Sequence, residues 1–176
     1  MDELTALLRQ IERSAFRLET LSRYRAPGER ELLEAFRHGR PLPPRNPDTE
    51  PWLRMVAESI AAGRSWSRVH TLARPLSEYL QFALLGYQGN LLAGEDVRIA
   101  DLDMYPGVLD ALDQDFWLLD DSLVFVMRYD ADGRLVGMDR TTEAAPFVAH
   151  RDLAIANSVA LNDYLPIVKD ELHRSW

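Results

Sequence analysis

Residues 66–100 read WSRVHTLARPLSEYLQFALLGYQGNLLAGEDVRIA, and the order of elements within them decides the fold. Trp66–Ala73 is short, β-branched and aromatic, the composition of a strand. Ser77, just after Pro75 and Leu76, is placed to cap a helix, and Leu80, Phe82, Leu84, Leu85, Leu91 and Leu92 supply its apolar positions until Gly94 ends it. Val97–Ala100 (VRIA) is a second strand. Strand, long helix, strand is a crossover, so the two strands are expected to be parallel and joined right-handedly.

Working outward, Leu4, Leu7, Leu8 and Ile11 recur at helical spacing and predict an amphipathic helix over residues 3–13. Residues 16–21 alternate and suit either more helix or a short strand; the strand is the preferred reading, with its place in the sheet left open. Glu29–Arg37 reads as a helix stopped by His38-Gly39, and the four prolines at 41, 43, 44 and 47 make the next stretch extended. Asp48 or Thr49 is the expected cap of a helix that carries Trp52, Leu53, Val56 and Ile60 to Gly63. Downstream, Asp115–Leu119, Leu123–Tyr129 and Arg134–Arg140 are strands joined at Asp120-Asp121 and at Asp130–Gly133, sequences that favour tight turns. A helix capped by Thr142 and running from Glu143 to about Val159 follows, and then one over about Asn162–Arg174. The expected fold is α/β: a mixed sheet with a βαβ crossover and a C-terminal antiparallel β-meander, flanked by helices. It reads as one domain, 1–176, with an N-terminal helical part (1–63), the crossover (64–100), an acidic loop and meander (101–141) and C-terminal helices (142–176).

The 176 residues include no cysteine, which excludes disulfides, thiolate catalysis and cysteine-bound zinc. No apolar run approaches the ~20 residues of a membrane span, and the acidic start Met1-Asp2-Glu3 is unlike a signal peptide. A cytoplasmic location is therefore expected. The formal net charge is −8, unsuited to direct binding of nucleic acid. It is also segregated. Residues 95–121 hold nine carboxylates against Arg98, a net of −8, whereas residues 1–94 carry +2 and residues 122–176 carry −2. This run is the expected recognition surface, with Asp101, Asp103, Asp110, Asp113, Asp120 and Asp121 as its candidate partner-binding residues.

Catalytic motifs are missing. The acids at 110, 113 and 115 lack the glycine and the final glutamate of a calcium loop, and the four histidines form no metal-binding pair. No phosphate loop, nucleophile elbow or GxGxxG is present, so no catalytic residue, metal or cofactor is expected. The alternative is a small-anion or nucleotide site, or an enzyme. Arg68 and His70 share one face of a strand, Arg74 and Tyr79 follow closely, and Asp115 with Trp117 opens a later strand. A carboxylate against indole is a candidate acid or base with a raised pKa.

Several blocks together resemble a known family: FRLETL at 16–21 with Tyr24, PLPPRN at 41–46, RPLSEYL at 74–80, NLLAGEDVRI at 90–99, DFWLLDD at 115–121 and MRYD at 127–130. It is an actinobacterial domain of unknown function often encoded beside helix-turn-helix regulators. The resemblance spans roughly residues 14–165 and implies a regulatory partner role. A weaker, fold-level likeness is to phospholipase-D-like domains, but no histidine here begins the HxK motif of those enzymes. Both likenesses point to a non-catalytic interaction protein, with a helix-turn-helix regulator as the expected partner.

Overall fold

The computed structural model describes residues 2–172. Its centre is a seven-stranded mixed sheet in the order β6-β5-β4-β1-β2-β3-β7. The crossover is present: β2 (Ser65–Leu72) and β3 (Asp96–Asp101) are parallel, linked by helix α4 (Glu78–Leu92). Ser77 caps α4, its hydroxyl accepting the Leu80 N–H at 3.2 Å. The residues around Phe16 form β1 (Ser14–Glu19), the middle strand of the sheet, parallel to β2 and antiparallel to β4 (Phe116–Leu119). The meander continues through β5 (Leu123–Tyr129) to β6 (Leu135–Thr141).

One sheet face buries Phe16, Leu18, Val69, Phe116, Leu118 and Val124 beneath α5 (Ala145–Ala156) and the 102–114 loop, which contributes Leu109 and Leu112. The opposite face is covered by α1 (Asp2–Leu8) and α3 (Pro51–Ala61), which bring Leu4, Leu8, Leu53 and Val56 onto Trp66 and Trp117. Trp52, Trp66 and Trp117 meet edge to face there, with ring centroids 5.9–6.1 Å apart. Helix α4 lies between this face and α2 (Glu29–Arg37). Leu80, Leu84 and Tyr87 turn to the sheet, and Tyr79 and Phe82 turn to α2. A helix covered on two sides needs apolar residues most of the way round. Leu92, at its last turn, is 68% exposed.

Several expectations are corrected. The first helix ends at Leu8 because the chain is then captured by Asp120. That carboxylate accepts the backbone N–H groups of Glu12, Arg13 and Ser14 at 2.7–2.9 Å. Asp120 and Asp121 both have positive φ, 53° and 56°, the left-handed pair of a tight hairpin turn. The cap of α3 is Glu50, not Asp48 or Thr49, whose N–H groups turn back onto the Asn46 side chain. Thr142 does not cap α5, which starts at Ala145 with Pro146 in its first turn. The long final helix is replaced by β7 (Val159–Ala160), added antiparallel to β3, then α6 (Leu161–Tyr164) and a 3-10 turn at Lys169–Glu171. Pro166 removes the donor a continuous helix would need. His173 and Arg174 lie outside the described residues. No described helix is long and apolar enough to cross a membrane.

Asp120 ties the β4–β5 turn to the entry of the central strand. Burial pushes its carboxyl up, but the three backbone N–H groups outweigh that and hold it below its ordinary value. Asp120→Ala is expected to cost roughly 1–2 kcal/mol, the scale of a lost backbone cap, measured as a shifted urea midpoint with the m-value unchanged.

Candidate functional site

The register of the central strands lays polar side chains in rows on the face covered by α4. Arg17 of β1 has Arg68 of β2 on one side and Trp117 of β4 on the other, and Glu19 lies beside His70. Asp115, just before β4, reaches the same end of the sheet. These residues are buried or nearly so: Arg17 is 4% exposed, Arg68 9%, Asp115 2% and His70 0%. Buried charge persists only when paired and hydrogen-bonded, and here the pairing is extensive.

Asp115 has a donor pair on each oxygen. Oδ2 accepts from Arg17 Nη2 and the Tyr24 hydroxyl, both at 2.7 Å. Oδ1 accepts from the Thr20 amide at 2.8 Å and the Thr20 hydroxyl at 2.7 Å. Tyr129 accepts a second Arg17 Nη2 bond at 2.9 Å. The third nitrogen, Nη1, is buried without a hydrogen-bond partner, and the guanidinium carbon lies 5.8 Å from the centre of the Trp117 ring, a contact that offsets part of its desolvation.

Arg68 joins two acids. Its Nη1 donates to Glu19 at 2.9 Å and its Nε to Glu95 at 3.0 Å. Glu95 also accepts from Asn90, and Asn90 in turn accepts from Arg45 at 3.2 Å. Arg45 reaches Glu50 and the Gly86 carbonyl, so the network runs from the cap of α3 through β2 and β1 to Asp115 and the meander. Burial alone would push the Glu19 carboxyl up; Arg68 and Arg17 overcome it and hold it at about 2. The Tyr24 and Tyr87 hydroxyls are driven well up, by burial first and then by neighbouring carboxylates, so both act as neutral donors.

The candidate ligand residues therefore separate. Arg68 and His70 are together, but against α4 and the segment after β1 rather than in an open cleft. Asp115 is beside Arg17, and four donors rather than the indole define its surroundings. Trp117 sits in the tryptophan cluster. Tyr79 packs between α4 and α2 with its hydroxyl 3.5 Å from Glu29. Arg74 lies apart, paired with Glu171 at 2.6 Å, while its backbone N–H donates to Asp103. The acidic run separates too. Glu95, Asp101 and Asp115 are buried, and Asp101 accepts the Tyr164 hydroxyl at 2.8 Å, so Asp101 is no surface residue. Asp103, Asp110, Asp113 and Asp121 remain exposed, with Asp121 paired to Arg151. Among the described residues no three His, Asp or Glu side chains converge as metal ligands would. A shallow depression lies at the carboxyl end of β1, lined by Leu21, Ser22, Arg23 and Asp130–Gly133.

The sequence reading missed Arg17, Glu19, Tyr24, Arg45, Tyr87, Asn90 and Glu95. For Arg17 and Glu19 the signal is the FRLE alternation: in a strand covered on both faces they must be buried, and each needs a partner.

Fold and site together define an α/β domain whose central sheet encloses a network of buried ion pairs. The sequence profile of the family described as Domain of unknown function (DUF6879) matches residues 2–166, so the chain belongs to that family. No curated protein matches it.

Two outcomes follow. Glu19 is lowered, so its stabilisation is complete above the unfolded carboxyl's ordinary 4.5 and is lost as pH falls toward about 2. Acid unfolding of the wild type is expected in that window, and Glu19→Gln should be less stable at neutral pH by about 3–5 kcal/mol and flatter across it, as followed by circular dichroism. Gly89→Ala would put a methyl 2.7 Å from the Arg45 carbonyl oxygen. It is expected to destabilise by roughly 1–3 kcal/mol, against the gain of about 1 kcal/mol usual for Gly→Ala in a helix, when compared by thermal melts.

Proposed function

We propose that this domain is a non-catalytic regulatory module of the cytoplasm that binds a protein partner through the loop between β3 and β4. The observation that carries the reading is the composition of that loop's outer surface. Leu102, Met104 and Val108 are 36%, 41% and 47% exposed, and exposed Asp103, Asp110 and Asp113 surround them in sequence. Apolar anchors with a charged rim are the anatomy of a protein interface. The acids favour a basic partner and faster encounter with it. A helix-turn-helix regulator meets that description, and the resemblance to an actinobacterial family encoded beside such regulators supports the choice. A phospholipase-D-like ancestry would agree with a non-catalytic role, because the HxK motif is missing.

The buried network supports the same reading from the other side. Its acids and bases are committed to one another, which leaves general acid–base chemistry little to work with. A small-anion or nucleotide site built on Arg68 and His70 has less support for the same reason.

The neutral pair Asp110→Asn/Asp113→Asn is the appropriate variant, since Asp115 is structural. Against a co-purified regulator at low salt, it is expected to slow association several-fold, with an unchanged melting temperature and a weaker dependence on salt. Leu102→Ser/Met104→Ser should instead speed dissociation. Native pull-down that recovers no DNA-binding protein at low salt would remove the support for this partner.

A further inference from the structure

His70 is fully buried in the middle of β2, and both its ring nitrogens are engaged. Nε2 lies 2.9 Å from the Leu21 carbonyl oxygen, and Nδ1 lies 2.8 Å from the Tyr87 hydroxyl. The Tyr87 hydroxyl lies 2.6 Å from Glu19 Oε2, which also receives Arg68 Nη1. A carbonyl oxygen only accepts, so Nε2 must carry a hydrogen. Tyr87 has one hydrogen, and the close carboxylate oxygen requires it, because two bare oxygens at that distance repel. Nδ1 is then left to donate to the Tyr87 oxygen. The chain Leu21–His70–Tyr87–Glu19 closes only if the imidazole holds two hydrogens.

Charge arithmetic gives the same answer from separate groups. The charged groups buried in direct ion pairs here are Arg17 and Glu19 from β1, Arg68 from β2, Glu95 from the turn after α4 and Asp115 just before β4, with Glu29 of α2 and Arg45 at the partly exposed edge. The neutral hydroxyls are Tyr87 from α4, Tyr24 from the segment after β1, and Tyr129 from β5. Two guanidiniums face three carboxylates, and a cationic His70 makes the buried set neutral. Moving the extra hydrogen to Glu19 instead would set a protonated carboxyl against Arg68, where the ion is the favoured form.

We infer that His70 is an imidazolium, and that it forms a proton-dependent clasp fastening the segment after β1 to α4. Without that proton, Tyr87 must choose between Nδ1 and Glu19. Either the His70–Tyr87 or the Tyr87–Glu19 bond is then lost, while the Leu21 carbonyl keeps its own. The clasp thereby links proton binding to the docking of α4 on β1 and β2, next to Leu21, which also lines the surface depression beside Asp130–Gly133.

Long-range nitrogen–proton NMR of the full-length chain, with ¹⁵N-labelled histidine, tests this directly at neutral pH. The expected spectrum has both His70 nitrogens at protonated-ring shifts, with two slowly exchanging ring N–H protons. A neutral-tautomer pattern, with one nitrogen shifted far downfield, would overturn it. Assignment comes from loss of the signals in His70→Gln. Tyr87→Phe provides an independent arm, because with no hydroxyl to receive it the Nδ1 hydrogen loses its protection from exchange. An unchanged spectrum in Tyr87→Phe also counts against the clasp.

Discussion

Two arginines side by side in the middle of a sheet govern much of what surrounds them. Arg17 and Arg68 are Cα partners on parallel strands, both buried. Placing two such ions out of water costs several kcal/mol each unless opposite charges arrive with good geometry. The acids that meet this demand come from three places: Glu19 from β1 itself, Glu95 from the turn that ends α4, and Asp115 from the approach to β4. The register of the sheet, the length of α4 and the landing of the acidic loop are thereby tied to one electrostatic condition. The tyrosines complete it by filling the remaining acceptor positions with neutral donors.

This arrangement also shapes what the domain offers to other molecules. Inside the sheet, Arg17, Glu19, Arg68, Glu95 and Asp115 answer to each other. The 102–113 loop carries exposed apolar and acidic side chains over a buried base of Leu109 and Leu112. The loop's ends are fixed by Asp101 on Tyr164 and by Asp115 on Arg17, so its exposed face is presented from two anchored points. Such anchoring lowers the ordering cost of binding, which is why the interaction reading rests on the loop and not on the network.

The crossover was legible in residues 66–100 because its signals are local: a β-rich run, a serine cap, a terminal glycine and a second β run. The meander was legible for the same reason, through turn residues such as Asp120-Asp121. The central place of β1 was not, since six residues say nothing of which strands lie beside them. The acidic run misled in a similar way. Glu95, Asp101 and Asp115 looked like surface because their partners Arg68, Tyr164 and Arg17 are 27, 63 and 98 residues away. Composition registers a carboxylate and is blind to the donor that folding brings to it. The final helix failed for a plainer reason, the proline at 166.

The central claim is that Arg17 and Asp115 act as one structural unit, and a double-mutant cycle tests it most directly. Arg17→Met, Asp115→Leu and the combined variant would be compared with the wild type by urea denaturation. Each single change strands a buried charge and is expected to cost about 3–5 kcal/mol, with the double variant recovering much of that loss. Additive single and double effects would contradict the account, because they would mean that the two charges do not depend on each other.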